Sequence, residues 1–101
     1  MKFKVLLIPE AEEDFKKLDG SIKKQVLKKL IKLEKEPYTG EPLGNKAGID
    51  LTGYYRLYLY KKKIRIVYEI KEDIIIVRVI SIGKREDFIV YLQAYLRRNF
   101  K

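Results

Sequence analysis

Apolar residues recur along this chain with two different periods, and each change of period marks an element. Lys2 to Ile8 is apolar and β-branched, which predicts a short strand. Pro9 suits the first position of a helix, and Ile8, Ala11, Phe15 and Leu18 then recur at helical spacing. Acids lie early in this segment and Lys16-Lys17 late, as the helix dipole favours. Asp19-Gly20 is read as its stop and Ser21 as the cap of a second helix, with Ile22, Val26, Leu30 and Leu33 as its stripe and Pro37 as its end. So short a connection predicts an antiparallel helical hairpin. The Gly- and Pro-rich stretch from Pro37 to Asp50 reads as a loop. Three strand-like runs follow, Leu51 to Tyr60, Lys63 to Ile70 and Ile74 to Ile82, with turns at Lys61-Lys62 and around Lys71 to Asp73. The last segment, FIVYLQAYLRR, places Phe88, Tyr91, Leu92 and Tyr95 at helical spacing behind Asp87 as a possible N-cap. The order β-α-α-β-β-β-α implies one α+β domain over residues 1–101. Its sheet is expected to be mainly antiparallel and four-stranded, with an N-terminal helical hairpin and a C-terminal helix.

Alternation assigns faces. Leu51, Tyr55, Leu57 and Leu59 share one side of their strand, and Tyr54, Arg56, Tyr58 and Tyr60 the other. On the next strand Ile64, Ile66, Tyr68 and Ile70 oppose Lys63, Arg65, Val67 and Glu69. With Lys61-Lys62 as a two-residue turn, Tyr58 pairs with Arg65 and Arg56 lies diagonal to it. A turn at Lys71-Glu72 extends the scheme, pairing Ile70 with Asp73, Ile66 with Val77 and Arg65 with Arg78. One non-core face then gathers Arg56, Tyr58, Arg65 and Arg78. A slip of one residue would turn two arginines into the core, at high cost without partners.

Composition sharpens the chemistry. The 101 residues include no histidine and no cysteine, so disulfides and thiolate metal sites are excluded, and any reaction must use arginine, lysine, tyrosine or carboxylate. The spacing of Glu69, Glu86 and Asp87 does not make a metal cluster, and no cofactor is expected. A net charge of +9 favours a polyanionic partner. Residues 53–68, GYYRLYLYKKKIRIVY, hold five basic residues, five tyrosines and no acid. Arginine and tyrosine together can bind phosphate and stack on bases, whereas a solvated surface would carry the same alternation with no partner at all. No run approaches the length of a membrane span, and the acids that follow MKFKVLLIPEAEED argue against a leader, so a cytoplasmic location is expected.

On this order, together with AEEDFKKLD, PLGNKAGIDLTGYYRL, KKKIRIVYEI and VISIGKREDFIVY, the chain resembles RelE-type toxins of the RelE/ParE toxin–antitoxin superfamily over nearly its whole length. The resemblance implies a ribosome-dependent endoribonuclease that cuts messenger RNA in the ribosomal A site, bound by a RelB-like antitoxin in a complex expected to be oligomeric. It puts the family's site on Arg56, Tyr58, Arg65, Arg85 and Tyr91, with Arg56 where lysine is frequent and Tyr58 where a second basic residue is common. Arg65 and Arg85 would clamp phosphate, while Tyr58 or Tyr91 would take the 2′-hydroxyl proton. Lys61, Lys62, Lys63, Arg78 and Lys84 are candidate RNA contacts. Two other readings stand beside this one: a ParE-type toxin, which shares the fold but poisons DNA gyrase, and an RNA-binding module without catalysis.

Overall fold

A computed structural model describes residues 2–46, 48–59, 61, 63–84 and 96–97. Strand β1 (Lys4–Leu7) leads through Ile8 into helix α1 (Pro9–Lys16), with Pro9 in its first turn. Helix α2 (Gly20–Lys35) follows, and Asp19 rather than Ser21 caps it. The Asp19 carboxylate accepts from the Ile22 amide at 3.1 Å and from the Ser21 hydroxyl at 2.9 Å, and these donors hold it below the usual carboxylate range. Gly20 therefore begins the second helix instead of ending the first.

The expected loop from Pro37 to Asp50 is structured. It contains a 3-10 turn, Pro37–Thr39, and a further strand, β2 (Glu41–Lys46), so the sheet has five strands rather than four. Loop-like composition misled because β2 is an edge strand, where Pro42 needs no ladder partner on its open side. After β2 come β3 (Ile49–Leu59), β4 (Ile64–Lys71) and β5 (Ile76–Lys84), in the spatial order β1-β5-β4-β3-β2. Among the described residues only β1 with β5 is parallel. The α+β class holds. The C-terminal helix, with Asp87, Phe88, Tyr91, Leu92 and Tyr95, lies outside the described residues apart from helical Leu96 and Arg97.

The register across β3 and β4 is the one alternation requires: Tyr58 faces Arg65, Leu57 faces Ile66 and Arg56 faces Val67. Lys61 turns the chain with φ of 55°. Across β4 and β5 the register departs from expectation. Residues 72–75 form a longer turn, so Ile70 pairs with Val77 and Glu69 with Arg78, while Arg65 pairs with Gly83 after an irregularity between Val67 and Tyr68. Ile74 and Ile75 thus belong to the turn and not to the strand. From Tyr68 to Lys71 the shift is four residues, so those side chains keep their faces while Arg78 exchanges a like-charged neighbour for an acid. Beyond the irregularity it is five, an odd number, which brings Ile82 opposite Ile66.

Helix α2 buries Val26, Leu30 and Leu33, and α1 buries Ala11, against a sheet face made by Leu57, Leu59, Ile64, Ile66, Tyr68, Val77 and Val79. Strand β4 is buried at every position from Ile64 to Glu69, Arg65 included, so its second face is covered as well and is not plain surface. At the C-terminal end, the Arg97 guanidinium donates to Asp14 of α1 at 2.9 and 3.3 Å and to the Ile80 carbonyl at 2.6 Å. Asp14 also accepts from the Ile82 amide at 3.1 Å. One carboxylate thereby ties α1, β5 and the last described residues together.

Tyr68 fixes the entry to β2. Its hydroxyl donates to the Pro37 carbonyl at 2.8 Å and accepts from the Gly40 amide at 3.0 Å, and its ring stacks on Tyr55 at 5.7 Å. A Cβ at Gly40 would meet both the Arg56 carbonyl oxygen and the Tyr68 hydroxyl at 2.5 Å, so only glycine permits this approach. Gly40→Ala is expected to lower stability by about 1–3 kcal/mol through overpacking. Tyr68→Phe is expected to cost a similar ~1–3 kcal/mol by orphaning buried backbone groups. Because the two share one contact, the double variant should lose less than the sum, measured by urea unfolding.

Burial raises the Tyr68 phenol above its ordinary 10.0, and a hydrogen bond with Glu72, with burial secondary, pushes Tyr38 up to about 12. For both groups the folded state holds the proton more tightly than the unfolded one. Their contribution is therefore complete below about pH 10 and is lost as pH rises through the folded values. An alkaline titration of stability should fall less steeply in Tyr68→Phe.

Candidate functional site

The site is built on the β3–β4 hairpin, where alternation sends Arg56, Tyr58 and Arg65 to the sheet face opposite the helices. Arg65 Nη2 donates to the Tyr58 hydroxyl at 3.3 Å, and its guanidinium carbon lies 5.4 Å from the centre of the Tyr58 ring. The Arg56 guanidinium lies 5.1 Å from the same ring. Tyr58 is thus flanked by two guanidiniums, each within reach of a cation–π contact with its ring. Arg65 is only 7% exposed, so its position is fixed by packing rather than sampled in solvent. A phosphate brought to this face would meet a donor fork that is already oriented.

An acid enters this cluster from the strand hidden in the expected loop. Glu41 stands opposite Arg56 across β2 and β3, and Arg56 Nη2 donates to its Oε2 at 3.4 Å. Glu41 lies in the stretch whose composition reads as loop, so no sequence signal links it to Arg56. The structure therefore brings together Arg56, Tyr58 and Arg65, with Glu41 beside them. Lys61 and Lys63 sit exposed at the hairpin end. Lys84 closes β5 opposite Ile64, one residue beyond the Gly83–Arg65 pair. Arg85, Tyr91 and Lys62 lie outside the described residues.

Arg78 does not join Arg65. It stands four positions further along β4, where its Nη2 lies 2.7 Å from Glu69 Oε1. The expected cluster of four is therefore a cluster of three and a separate ion pair on the same face. Asp14, Arg97, Glu41 and Glu69 are polar groups that sequence reasoning did not assign. Each depends on a contact between distant parts of the chain, and only Glu69, on the cation-bearing side of its strand, left a legible trace.

Residues 5–87 match the family model described as the ParE toxin of the type II toxin–antitoxin system parDE. The mRNA interferase toxin RelE of Escherichia coli K12 is 31% identical over 87 residues, which is 86% of this chain and 87% of that protein. An arginine-substituted mutant of E. coli toxin RelE in the free state superposes with a TM-score of 0.76 at 27% identity, covering 96% of this chain and 98% of that one. The same mutant in complex with an antitoxin RelBc peptide gives 0.68 at 27% identity, covering 93% and 95%. With this fold and a family model that spans most of its length, the chain belongs to the RelE/ParE family and is a RelE-like toxin of the type II toxin–antitoxin class.

Proposed function

We propose that this toxin is a ribosome-dependent endoribonuclease that cuts messenger RNA in the A site. The observation that carries the proposal is Tyr58 held between the Arg56 and Arg65 guanidiniums on a preformed sheet face. The relative named an mRNA interferase supports the same reading.

In the proposed reaction the ribose 2′-oxygen attacks the adjacent phosphorus while its proton passes to a base. The bond from phosphorus to the 5′-oxygen breaks, that oxygen takes up a proton, and the products are a 2′,3′-cyclic phosphate and a 5′-hydroxyl. Negative charge grows on the phosphate oxygens in the transition state, and oriented guanidiniums stabilise it there. Arg65 has that role, with Arg85 as the second half of the clamp. Arginine, with a pKa above about 12, is a poor proton carrier, so the proton falls to a tyrosine, Tyr58 or Tyr91. Tyr91 has stacking on a base as its alternative task.

Lys61, Lys62, Lys63 and Lys84 add contacts to RNA phosphates. The natural partner is a RelB-like antitoxin that covers or distorts the basic face, in an oligomeric complex in the cytoplasm. Solved relatives in complex with antitoxins support such a partner.

The ParE description of the matching family model favours one second reading, a toxin of the same fold that poisons DNA gyrase. Translating ribosomes with a defined message separate the two. A-site cuts are expected with the wild-type chain and should fall by about 10²-fold or more in Arg65→Ala and Arg85→Ala. Gyrase-dependent DNA damage without message cuts would instead establish the ParE reading, and salt-sensitive RNA binding alone would leave a non-catalytic module.

For the base, the pH–rate profile should lose its limb in Tyr58→Phe or in Tyr91→Phe. A profile unchanged in both would overturn the tyrosine assignment. Glu41 is 66% exposed in its side chain, so its pair with Arg56 adds little stability. Glu41→Gln is expected to shift unfolding by less than about 0.5 kcal/mol. It should tighten binding of an uncleavable RNA analogue by roughly two- to fivefold, since a competing anion beside Arg56 is gone.

A further inference from the structure

The face that carries Arg56, Tyr58 and Arg65 continues along the same two strands into a second polar feature. A cavity of about 490 Å³ opens there, lined by Thr52, Gly53, Tyr54, Glu69, Lys71 and Arg78. Its position follows from a backbone irregularity. Pro42 pairs with Tyr55 but Gly44 with Leu51, and Gly53, at φ of 90° and without a side chain, lies in the stretch of β3 between those pairs.

The charges in the cavity are not arranged as a surface pair would be. Glu69 is buried, with a side chain 10% exposed, while Arg78 keeps 33% of its side chain in contact with solvent. The Arg78 Nη2 lies 2.7 Å from the buried Glu69 carboxylate, an ion contact that restrains the arginine while a third of its side chain stays open to solvent. Exposed Lys71 supplies a second cation, while the Thr52 hydroxyl donates to the Asp50 carboxylate at 2.7 Å. An arginine held by an ion contact and an exposed lysine around an open cavity match the chemistry of a phosphate diester.

Spacing gives this cavity its meaning. The Tyr54–Glu69 pair lies four residues from the Tyr58–Arg65 pair. At roughly 3.4 Å per residue that is about 14 Å, a distance a short run of extended single strand covers. We propose that Arg78, positioned by Glu69, and Lys71 form a second phosphate subsite on the face of Arg56, Tyr58 and Arg65, so that a single-stranded RNA runs along β3 and β4 away from the Lys61 turn. The proposal rests on reading this face as an RNA site and not on cleavage.

Uncleavable 2′-O-methyl oligoribonucleotides, a trinucleotide and an octanucleotide, test it by fluorescence anisotropy over a salt series. Arg78→Gln should weaken the octanucleotide by roughly three- to tenfold and lower its salt slope by about 0.7, the value of one single-strand phosphate contact. The trinucleotide, too short to span both sites, should be unaffected. Lys71→Gln, at an exposed position, should act in the same way without disturbing the buried pair.

Glu69→Gln gives the sharpest test. Removing an anion from a binding face strengthens RNA binding if only net charge matters, whereas loss of the group that orients Arg78 weakens the octanucleotide. Tightening in Glu69→Gln, or equal effects on both lengths in Arg78→Gln and Lys71→Gln, would overturn the subsite and leave the Arg56–Arg65 site intact. Binding of both lengths with no response to any of these variants also overturns it and leaves the cavity to a protein partner. Failure of the wild-type chain to bind either oligonucleotide overturns the RNA reading of the whole face. Cleavage on ribosomes is scored separately, so loss of the nuclease reading and loss of the subsite are distinct results.

Discussion

In the β3–β4 hairpin Leu57 faces Ile66 and Tyr58 faces Arg65, and the turn at Lys61 holds that register. The period of two leaves no intermediate arrangement. A slip of one residue would send Arg56 and Arg65 toward Val26 and Leu33 and put Leu57 and Ile66 in their place, so packing and site chemistry are selected by one event. The helices need the apolar face in order to dock, and the cations need the other face in order to meet. Neither requirement can relax while the other holds.

This coupling explains why the grouping of Arg56, Tyr58 and Arg65 on one face was readable without coordinates. Two neighbouring strands joined by a two-residue turn leave only parity to decide, and the apolar residues decide it. The β4–β5 connection was not readable in the same way. Its turn takes in Ile74 and Ile75, two residues with strong strand preference, and Ile75 adopts a φ of 56° that side chains of its shape rarely occupy. Local propensity pointed to strand there. Tertiary pairing prevailed, because the longer turn sets Glu69 against Arg78 and preserves the apolar layer.

The hidden β2 strand failed to show for a different reason. Its residues, EPLGNK, have little strand propensity, and its place comes from Tyr68, twenty-eight positions further on from Gly40, whose hydroxyl reaches the Pro37 carbonyl and the Gly40 amide. Glu41 then follows into contact with Arg56. A buried tyrosine on the helix side of β4 in this way sets the charge environment of an arginine on the opposite side. The Asp14–Arg97 contact belongs to the same class of non-local features. An aspartate in the acid-rich first helix and an arginine in a basic tail each look like ordinary dipole partners until the fold brings them within 2.9 Å.

The even offset of the β4–β5 pairings next to the turn, from Tyr68 to Lys71, has a consequence for how such a domain can vary. Connections that differ by two residues leave both faces chemically unchanged and alter only which residues stand side by side along the ladder. Turn length is therefore a dimension in which sequences can drift without passing through an unfolded or chemically inverted form. What such drift would revise is the neighbour of Arg78, and with it the local polarity of the sheet, while Tyr58 and Arg65 stay opposite each other.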